Sequence, residues 1–469
     1  MKKTKIVCTI GPASNSHKVL KELAEAGMDV VRLNFSHGTH KEYLEIIRTI
    51  RRISAEINKP IGILQDLAGP KIRIGKIKKG VVLKEGFVFT LTTKEIEGDE
   101  NTAFISYKQL PKEVKSGDPI FIDDGRIKLK VIRHDMGNVI CHVVRGGELK
   151  SDKGVNLPQT KLSIPSITEK DIDDLNLGIE EGVDLISLSF VRQADDIKNL
   201  RKILKEKDAA IPIIAKIEKK EAVDGISEII KVADGIMVAR GDLGIETSLA
   251  KVPLVQKKVI LETNLFGKPV ITATQMLESM VNEDIPTRAE VTDIANAIFD
   301  STDALMLSEE TAIGKYPVEC VKSMVEIAEE AEKALEYEAM LKDKMELRRL
   351  STTEAIGYAT SQIAMDLEAA AIITCTHSGM TARMIAKYRP SVPIIAVSPF
   401  IETVRQLTLT WGVYPVKSAT FDNTDDMMGK AIETAKSAGI FRSGDKVVIT
   451  GGVPVGVPNT TNFLRVIVA

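Results

Sequence analysis

The residues with the clearest capacity for chemistry stand at the ends of short apolar runs. Lys216 and Glu218 end one run, Asp242 ends the next, and Arg32 lies near the end of an earlier one. Side chains two residues apart in a strand point the same way, so Lys216 and Glu218 are expected on one face. Cations stabilise a phosphoryl or enolate oxyanion, and two carboxylates with few companions suit Mg2+. Phosphoryl transfer needs that combination, because its catalysis is mostly positioning and charge stabilisation.

These residues also allow a purely structural interpretation. Lys216 and Glu218 can form an ion pair that only supports the fold, and single charges at strand ends are commonly solvated. In residues 239–244 (ARGDLG), two glycines around Asp242 permit a close backbone approach to a carboxylate or phosphate. A simple helix N-cap at Asp242 is the alternative. Other polar residues at the run ends complete the candidate set: Asn34, Ser36, Asp66, Gly241, Thr274, Ser308 and Glu310.

Eight apolar runs, most of them followed by an amphipathic stretch, must position these side chains. Alternation of short apolar and amphipathic segments predicts parallel βα units. Eight units in succession favour a closed (β/α)8 TIM barrel, whose strand ends converge on one mouth, over an open doubly wound sheet. The runs are residues 4–11, 29–37, 62–67, 184–190, 212–218, 235–242, 269–277 and 304–311.

Two further units interrupt and follow the barrel. Residues 71–161 carry short alternating segments between Gly-rich and charged turns, which predict an inserted antiparallel β-barrel lid domain. The catalytic barrel is therefore assigned to residues 1–70 and 162–349, with one long helix expected over 317–349. Residues 350–469 alternate helices and strands and predict a C-terminal α/β sandwich with a partly parallel sheet.

Composition limits the function classes. The chain has 469 residues and a formal charge of −2, which disfavours a nucleic-acid binder. It has no apolar run near the ~20 residues of a membrane span and no signal-like N-terminus, so a cytoplasmic protein is expected. The four cysteines are scattered, which suits a reducing compartment. Aromatic residues are 4% of the chain, as expected for aliphatic parallel-sheet cores.

A series of motifs runs along the chain: residues 9–14 (TIGPAS), 31–38 (VRLNFSHG), Asp66 with 69–70 (GP) and Arg73, 153–158 (KGVNLP), 215–218 (AKIE), 239–244 (ARGDLG), 273–280 (ATQMLESM), 286–290 (PTRAE) and 450–465. Taken in order, these motifs resemble pyruvate kinase over the whole chain. That family's plan is a barrel, a β lid inserted after the third strand and a C-terminal α/β domain, which coincides with the plan above.

The resemblance implies transfer of the phosphoryl group of phosphoenolpyruvate to ADP, giving pyruvate and ATP in the last step of glycolysis. It implies that Arg32 binds the substrate phosphate and that Lys216 stabilises the phosphoryl group in flight. The backbone of Gly241 and Asp242, with Thr274, would hold the substrate carboxylate. Glu218 and Asp242 would hold Mg2+, with Mn2+ as a second candidate.

The remaining roles follow from the same resemblance. Arg73 and Lys153 would contact the nucleotide phosphates, with Pro12, Asn34 and His37 nearby. The enolate left by phosphoryl transfer needs a proton on carbon, and in this family ordered water near Thr274 and Ser308 is expected to deliver it. No side chain in the sequence is an obvious direct donor.

One departure from the family pattern concerns a monovalent cation. Many members carry Glu after Gly-Pro and require K+, whereas this chain has Lys71 there, like K+-independent members. An ammonium group can supply the charge that a bound K+ would give. Activity without K+ is therefore expected, although residues resembling the ion's ligands remain: Asn34, Ser36, Asp66 and Leu67.

The C-terminal unit contains a candidate regulatory site. Thr376, Ser378, Gly379 and Thr381 lie between a strand and a helix, where hydroxyls and backbone N–H groups can hold an anion, and a plain Ser/Thr cap is the alternative. The segment resembles the family's effector phosphate loop, which binds fructose bisphosphate, sugar monophosphates or AMP. Family members are usually homotetramers.

Two other functions are consistent with parts of this pattern. Another Mg2+-dependent barrel enzyme acting through a pyruvate enolate, an aldolase or lyase, would share the Glu218/Asp242 site but would not need Arg73, Lys153 or the insertion. A non-catalytic, metabolite-sensing scaffold would not need the intact set of Arg32, Lys216, Glu218 and Asp242.

Overall fold

The first three βα units open a parallel barrel. The computed structural model describes residues 1–347, 351–455, 457 and 460–469. Every residue of the first and third strands is buried, and the second helix starts at a capping box in which Thr39 and Glu42 satisfy each other's backbone N–H groups. The elements are β1 (Lys5–Thr9), α1 (His17–Ala26), β2 (Val30–Asn34), α2 (His40–Glu56) and β3 (Gly62–Leu67).

The insertion follows β3 and has its own hydrophobic core. Its strands pair in the order β11-β7-β8-β9-β5-β6, beside a two-stranded sheet of β10 and β4. The chain segments that enter and leave the insertion lie side by side, because Arg73 and Gly154 form an antiparallel bridge. The elements are β4 (Val82–Leu83), β5 (Val88–Thr92), β6 (Thr102–Phe104), α3 (Leu110–Glu113), β7 (Pro119–Ile122), β8 (Ile127–His134), β9 (Asn138–Arg145), β10 (Gly147–Glu148) and β11 (Val155–Asn156).

Five further βα units complete the barrel. Its strands close in the order β1-β16-β15-β14-β13-β12-β3-β2, all parallel. The elements are α4 (Glu169–Glu180), β12 (Leu185–Leu188), α5 (Ala194–Glu206), β13 (Ile213–Ile217), α6 (Lys220–Asp224), α7 (Ile226–Val232), β14 (Gly235–Ala239), α8 (Arg240–Glu246), a 3-10 turn (Leu249–Lys251), α9 (Val252–Leu265), β15 (Val270–Ala273), a 3-10 turn (Glu278–Val281), α10 (Arg288–Phe299), β16 (Ala304–Leu307), α11 (Glu309–Ala312) and α12 (Pro317–Lys333).

The C-terminal unit is a five-stranded sheet in the order β19-β18-β17-β20-β21, parallel except for β21. Its Leu409 belongs to the core inside the barrel, so this unit packs against the end of the barrel at which the strands begin. The helix α13 (Tyr337–Glu346) precedes this unit, whose elements are α14 (Thr352–Asp366), β17 (Ala371–Cys375), α15 (Met380–Ala386), β18 (Ile394–Ser398), α16 (Ile401–Gln406), a 3-10 turn (Leu407–Leu409), β19 (Val413–Lys417), α17 (Thr424–Ser437), β20 (Lys446–Gly452) and β21 (Thr461–Val468).

The predicted fold class is confirmed, and two details differ. The expected single helix over 317–349 is two helices, because Glu332 near the end of α12 accepts from the backbone of Lys3 and Thr4 while Tyr337 turns in against Lys3. The insertion, expected as an antiparallel β-barrel, has a six-stranded sheet beside a two-stranded one, and its pairing is not wholly antiparallel, since β6 pairs in parallel with β5. The predicted boundary at 349/350 and part of the 450–465 motif lie outside the described residues. Among the described residues, no helix has the length and apolar character needed to cross a bilayer.

Candidate active site

The barrel's inward-facing positions change from apolar to polar at the mouth. Val30, Leu64 and Ile214 belong to the core inside the barrel. Because strand side chains alternate with a period of two, the next inward positions along the same strands are Arg32, Asp66 and Lys216. Two neighbouring strands follow the same pattern, with Val7 followed by Thr9 and Leu185 by Ser187. A polar layer therefore lies directly on a close-packed apolar layer.

Asp66 is the centre of this polar layer. Its Oδ2 accepts from Arg32 Nε at 2.8 Å and Arg32 Nη2 at 2.5 Å, and lies 3.3 Å from Lys216 Nζ, while Oδ1 accepts from Ser187 at 2.7 Å. Burial alone would raise the pKa of Asp66, but the positive charges of Lys216 and Arg32 outweigh burial and hold that pKa below its usual value. The two predicted catalytic cations therefore share one ionised, buried carboxylate.

Lys216 connects Asp66 to the predicted metal carboxylate. Its Nζ lies 3.0 Å from Glu218 Oε1 and donates to Ser189 Oγ at 2.8 Å. Burial favours a lower pKa for Lys216, but Asp66 and Glu218 together raise it, so the ammonium stays charged. The pKa of Glu218 is raised, first by burial and then by the nearby charge of Asp242, against the opposing effect of Lys216. The structural ion pair foreseen as an alternative is present, and it forms part of the mouth.

Glu218 and Asp242 form a donor set that suits a hard cation. Two carboxylates that repel each other at a strand-end rim are stabilised when a divalent ion lies between them, and oxygen ligands are what Mg2+ prefers. Phe190 N donates to Glu218 Oε2 at 2.8 Å, which leaves Oε1 toward Lys216 and fixes the carboxylate's orientation. No group of three or more His, Cys, Asp or Glu side chains placed to hold a metal occurs in the described part of the chain.

Thr274 is held in an unusual backbone conformation beside Gly241. Its φ is +71°, a value that a β-branched residue adopts only when its surroundings enforce it. Arg240 enforces it here, since Nη2 donates to the Thr274 carbonyl at 2.7 Å while Nη1 is paired with Asp293. The Thr274 hydroxyl accepts from Gly241 N at 2.9 Å. Thr274, Gly241 and Asp242 are thus brought together at the mouth.

Three of the four residues expected to bind a monovalent cation have oxygens that already accept from protein donors. Asp66 accepts from Arg32 and Ser187, as described, and the Leu67 carbonyl accepts from Ser189 Oγ at 2.7 Å. Asn34 Oδ1 accepts from Ser36 N at 3.3 Å.

The predicted nucleotide residues divide between the barrel and the insertion. Partial burial and the positive charges of Arg73, Lys71 and Arg32 lower the pKa of His37, so His37 lies among cations and is neutral near pH 7. Arg73 donates to the Asp152 carbonyl at 2.7 Å. Lys153 is paired within the insertion to Asp123 at 2.7 Å. Pro12 is exposed on the loop that follows β1.

The predicted effector residues line a cavity of about 220 Å³ in the C-terminal unit. Thr376, Ser378 and Thr381 contribute to its wall, and Gly379 adopts a φ of +79°. A Cβ on Gly379 would lie 2.7 Å from Arg383 Nη1, so glycine is required at this turn. The rings of His377 and Phe400 pack 4.1 Å apart on the same wall. The four residues are therefore brought together, about a cavity that the sequence did not predict.

Comparison with known proteins identifies the family. The model of the pyruvate kinase barrel domain matches residues 1–321, and that of the pyruvate kinase alpha/beta domain matches residues 354–467. Curated pyruvate kinases from Staphylococcus epidermidis and Staphylococcus saprophyticus are each 48% identical to the chain, and one from Staphylococcus aureus is 47% identical. Each alignment covers 99% of this chain and 80% of the relative. The chain belongs to the pyruvate kinase family.

Several mouth residues of this pyruvate kinase family member escaped sequence reasoning. Thr9, Ser187 and Ser189 hydrogen-bond to Arg32, Asp66 and Lys216, and Arg240 holds Thr274. A signal for Thr9 and Ser187 was available, because each stands two residues beyond an inward-facing apolar residue. The role of Arg240 had no such signal, since its partners Asp293 and Thr274 come from other barrel units.

Proposed function

We propose that this protein transfers the phosphoryl group of phosphoenolpyruvate to ADP, forming pyruvate and ATP as the last step of glycolysis. Membership of the family supports a phosphotransferase of this kind. The observation that carries the proposal is the continuous set of contacts Arg32–Asp66–Lys216–Glu218 at the barrel mouth. It holds two cations in fixed positions, which suits a reaction whose transition state carries charge on phosphoryl oxygens.

Each mouth residue is given one role. Arg32 binds the phosphate of phosphoenolpyruvate, and Lys216 neutralises the charge of the phosphoryl group as it passes to ADP. The backbone of Gly241 and Asp242, with the Thr274 hydroxyl, receives the substrate carboxylate. The strained Thr274 backbone supports this assignment, because such strain is concentrated at sites where a ligand must be met in one orientation.

Glu218 and Asp242 would hold Mg2+, or Mn2+ in its place. When bound, the cation supplies Lewis-acid stabilisation of phosphoryl oxygens. Burial is the main cause of the raised pKa of Glu218, and the nearby charge of Asp242 adds to it, which supports this role because a divalent cation would offset both effects. Arg73 and Lys153 would bind the ADP phosphates, with Pro12, Asn34 and His37 beside them.

K+ is not required in this proposal. Asp66 and Leu67 already accept from protein donors, and Lys71 adds positive charge near His37. Asp66 and Leu67 therefore do not need a bound cation to satisfy their oxygens, and the Lys71 ammonium supplies positive charge in its place.

The proton that converts the enolate to pyruvate arrives on carbon through water near Thr274 and Ser308. The Ser308 hydroxyl is buried and has no hydrogen-bond partner among the described residues, which supports a bound water or substrate atom beside it.

The C-terminal cavity would bind a phosphorylated effector, a sugar phosphate or AMP, through Thr376, Ser378, Gly379 and Thr381. Its volume of about 220 Å³ and its hydroxyl groups support a small polar ligand.

The proposal also includes the domain limits and the location of the protein. The barrel takes residues 1–70 and 162–349, the insertion takes 71–161, the C-terminal unit takes 350–469, and the protein is cytoplasmic.

A homotetramer completes the proposed functional form. Leu254 and Leu261, seven residues apart on α9, are 70% and 49% exposed, and Phe299 at the end of α10 is 48% exposed. Residues at this spacing share one helix face, so α9 presents an apolar stripe suited to a second copy. Light scattering after size-exclusion chromatography measures the assembly, and a monomer would contradict it.

One assay tests the central proposal. Pyruvate formation from phosphoenolpyruvate is expected to require both ADP and Mg2+. A protein that releases pyruvate without ADP, or consumes phosphoenolpyruvate with a carbon–carbon bond change, would contradict the phosphotransferase assignment.

A further inference from the structure

The barrel and the insertion meet at one buried carboxylate, Glu246. Its side chain is 0% exposed, and its Oε1 accepts from Asn156 Nδ2 of the insertion at 3.1 Å. The same oxygen is paired with Lys219 Nζ at 2.5 Å. Oε2 is buried and has no hydrogen-bond partner among the described residues. The Asn156 amide is therefore a large part of what satisfies this carboxylate.

On the barrel side, Glu246 belongs to the segments that carry the proposed metal carboxylates. It lies four residues after Asp242, at the end of α8. Its partner Lys219 directly follows Glu218. The Lys219–Glu246 ion pair thus links the end of β13 to α8, and fixes both at the rim.

On the insertion side, Asn156 lies close to a proposed nucleotide ligand. It ends β11, which pairs with β7, and it follows Lys153 by three residues. The insertion also passes close to the barrel at Gly125, since a Cβ added there would lie 3.9 Å from Ile245, the residue before Glu246. Fixing Asn156 therefore fixes the part of the insertion that carries Lys153.

We propose that Glu246 is a positioning residue that holds the insertion over the barrel mouth through Asn156 and thereby sets the affinity for ADP. Glu246 acts through Asn156 and Lys153 and contacts no reacting atom. This inference rests on the proposed function, in which Lys153 binds the nucleotide phosphates.

The test is a double-mutant cycle of Asn156→Ala and Glu246→Ala, since alanine at either position removes one partner of the contact. Asn156→Ala is expected to raise the KM for ADP about tenfold, as for loss of one hydrogen bond to a charged group, with a much smaller change in kcat. The affinity for phosphoenolpyruvate, measured without nucleotide, is expected to stay unchanged. The affinity of the double variant for ADP should be no lower than that of the single variant with the lower affinity. Both changes remove the same contact, between Asn156 and Glu246, so their effects should not add.

Two further variants separate positioning from general damage. Asn156→Asp places a like charge against Glu246 and should raise the KM for ADP further than Asn156→Ala does. Asn138→Ala is the matched control, because Asn138 donates to Asp135 at 3.0 Å within the insertion and should leave the KM unchanged.

The outcomes distinguish this inference from the proposed function. Absence of ADP-dependent pyruvate formation in the unaltered protein contradicts the proposed function itself. Calorimetric titration with Mg·ADP then still tests the contact. Equal Mg·ADP affinity in the unaltered protein and Asn156→Ala, or additive effects in the double variant, would overturn the role of Glu246.

Discussion

The barrel mouth and the C-terminal cavity, both proposed to bind phosphate groups, are built in opposite ways. At the mouth, Arg32, Asp66, Lys216 and Glu218 are buried charges that pair with one another. The C-terminal cavity is walled by hydroxyls from Thr376, Ser378 and Thr381 and by the rings of His377 and Phe400. Charge is fixed in advance at the mouth, whereas shape and neutral donors dominate the cavity.

That difference fits the tasks proposed for the two regions. A transferring phosphoryl group needs donors that are already oriented, because reorganising them during the reaction would add to the barrier. A regulatory ligand needs selective and reversible binding, which a concave wall with a few polar groups provides. Changes at the mouth should therefore affect the rate, and changes at the cavity should affect ligand binding.

Lys216→Met should have the largest effect. It removes the cation proposed to neutralise the phosphoryl group, and kcat is expected to fall about a thousandfold in an ADP-dependent pyruvate assay. Lys198→Met is the control, because Lys198 is exposed on α5 and pairs with the exposed Asp195 at 2.8 Å. A kcat of Lys216→Met equal to that of the unaltered protein would contradict the role in charge stabilisation proposed for the mouth.

Asp66→Asn should come next, through both rate and stability. It leaves Arg32 and Lys216 without their shared counter-charge, so kcat should fall about a hundredfold and the free energy of unfolding by about 3 kcal/mol. Urea denaturation measures the latter, with Asp195→Asn as an exposed control expected to cost under about 1 kcal/mol.

The difference in stability between the unaltered protein and Asp66→Asn should depend on pH in a definite direction. The folded-state pKa of Asp66 lies below 3.8, its ordinary value. Its stabilisation is therefore present above that ordinary value and is lost only as the pH falls through the lower folded value. The stability gap between the unaltered protein and Asp66→Asn should stay constant from neutral to mildly acidic pH. A gap that closes near neutrality would contradict the ion-pair assignment.

Lys71→Glu should make the reaction rate depend on K+. The unaltered protein is expected to change in rate less than about twofold on addition of K+ at constant ionic strength, since Lys71 is proposed to supply the charge. The Glu variant should depend on K+ by at least about tenfold, because the added carboxylate needs compensation. Strong K+ activation of the unaltered protein would contradict this account.

Ser378→Asp should have the smallest effect, confined to the C-terminal cavity. Fructose bisphosphate, sugar monophosphates and AMP are screened by thermal shift, and saturating effector is expected to raise Tm by a few degrees, about what binding at 100 times Kd supplies. A carboxylate at Ser378 should abolish that shift by repelling the phosphate. Ser437→Asp, at the exposed end of α17, is the control. A shift that survives Ser378→Asp would place the effector elsewhere.

Local periodicity was enough to predict the barrel and most rim residues. Lys216 and Glu218 stand two apart on β13, so their shared side follows from strand geometry alone. The pairing of Asp66 with both Arg32 and Lys216 was not predictable in the same way. It depends on the strand order, in which β3 lies between β2 and β12 and Lys216 follows on β13.

The differences from expectation have the same cause. The break after α12 is made by contacts of Glu332 and Tyr337 with residues 3 and 4, more than 300 positions away in sequence. The helical pattern of residues 317–349 does not predict these contacts. Likewise, the contact of Glu246 with Asn156 joins residues 90 positions apart, so neither residue stood out alone.

The bridge between Arg73 and Gly154 has a consequence for how the chain reaches this fold. The barrel must join β3 to β12, and Ile63 and Asp184, which hydrogen-bond there, are 121 residues apart. Contacts of such long sequence separation slow folding, because the entropy of loop closure is lost before the contact forms. An insertion that folds first returns the chain to its point of departure through that bridge. The polypeptide emerging from a ribosome can then close its barrel as if most of the intervening loop were absent.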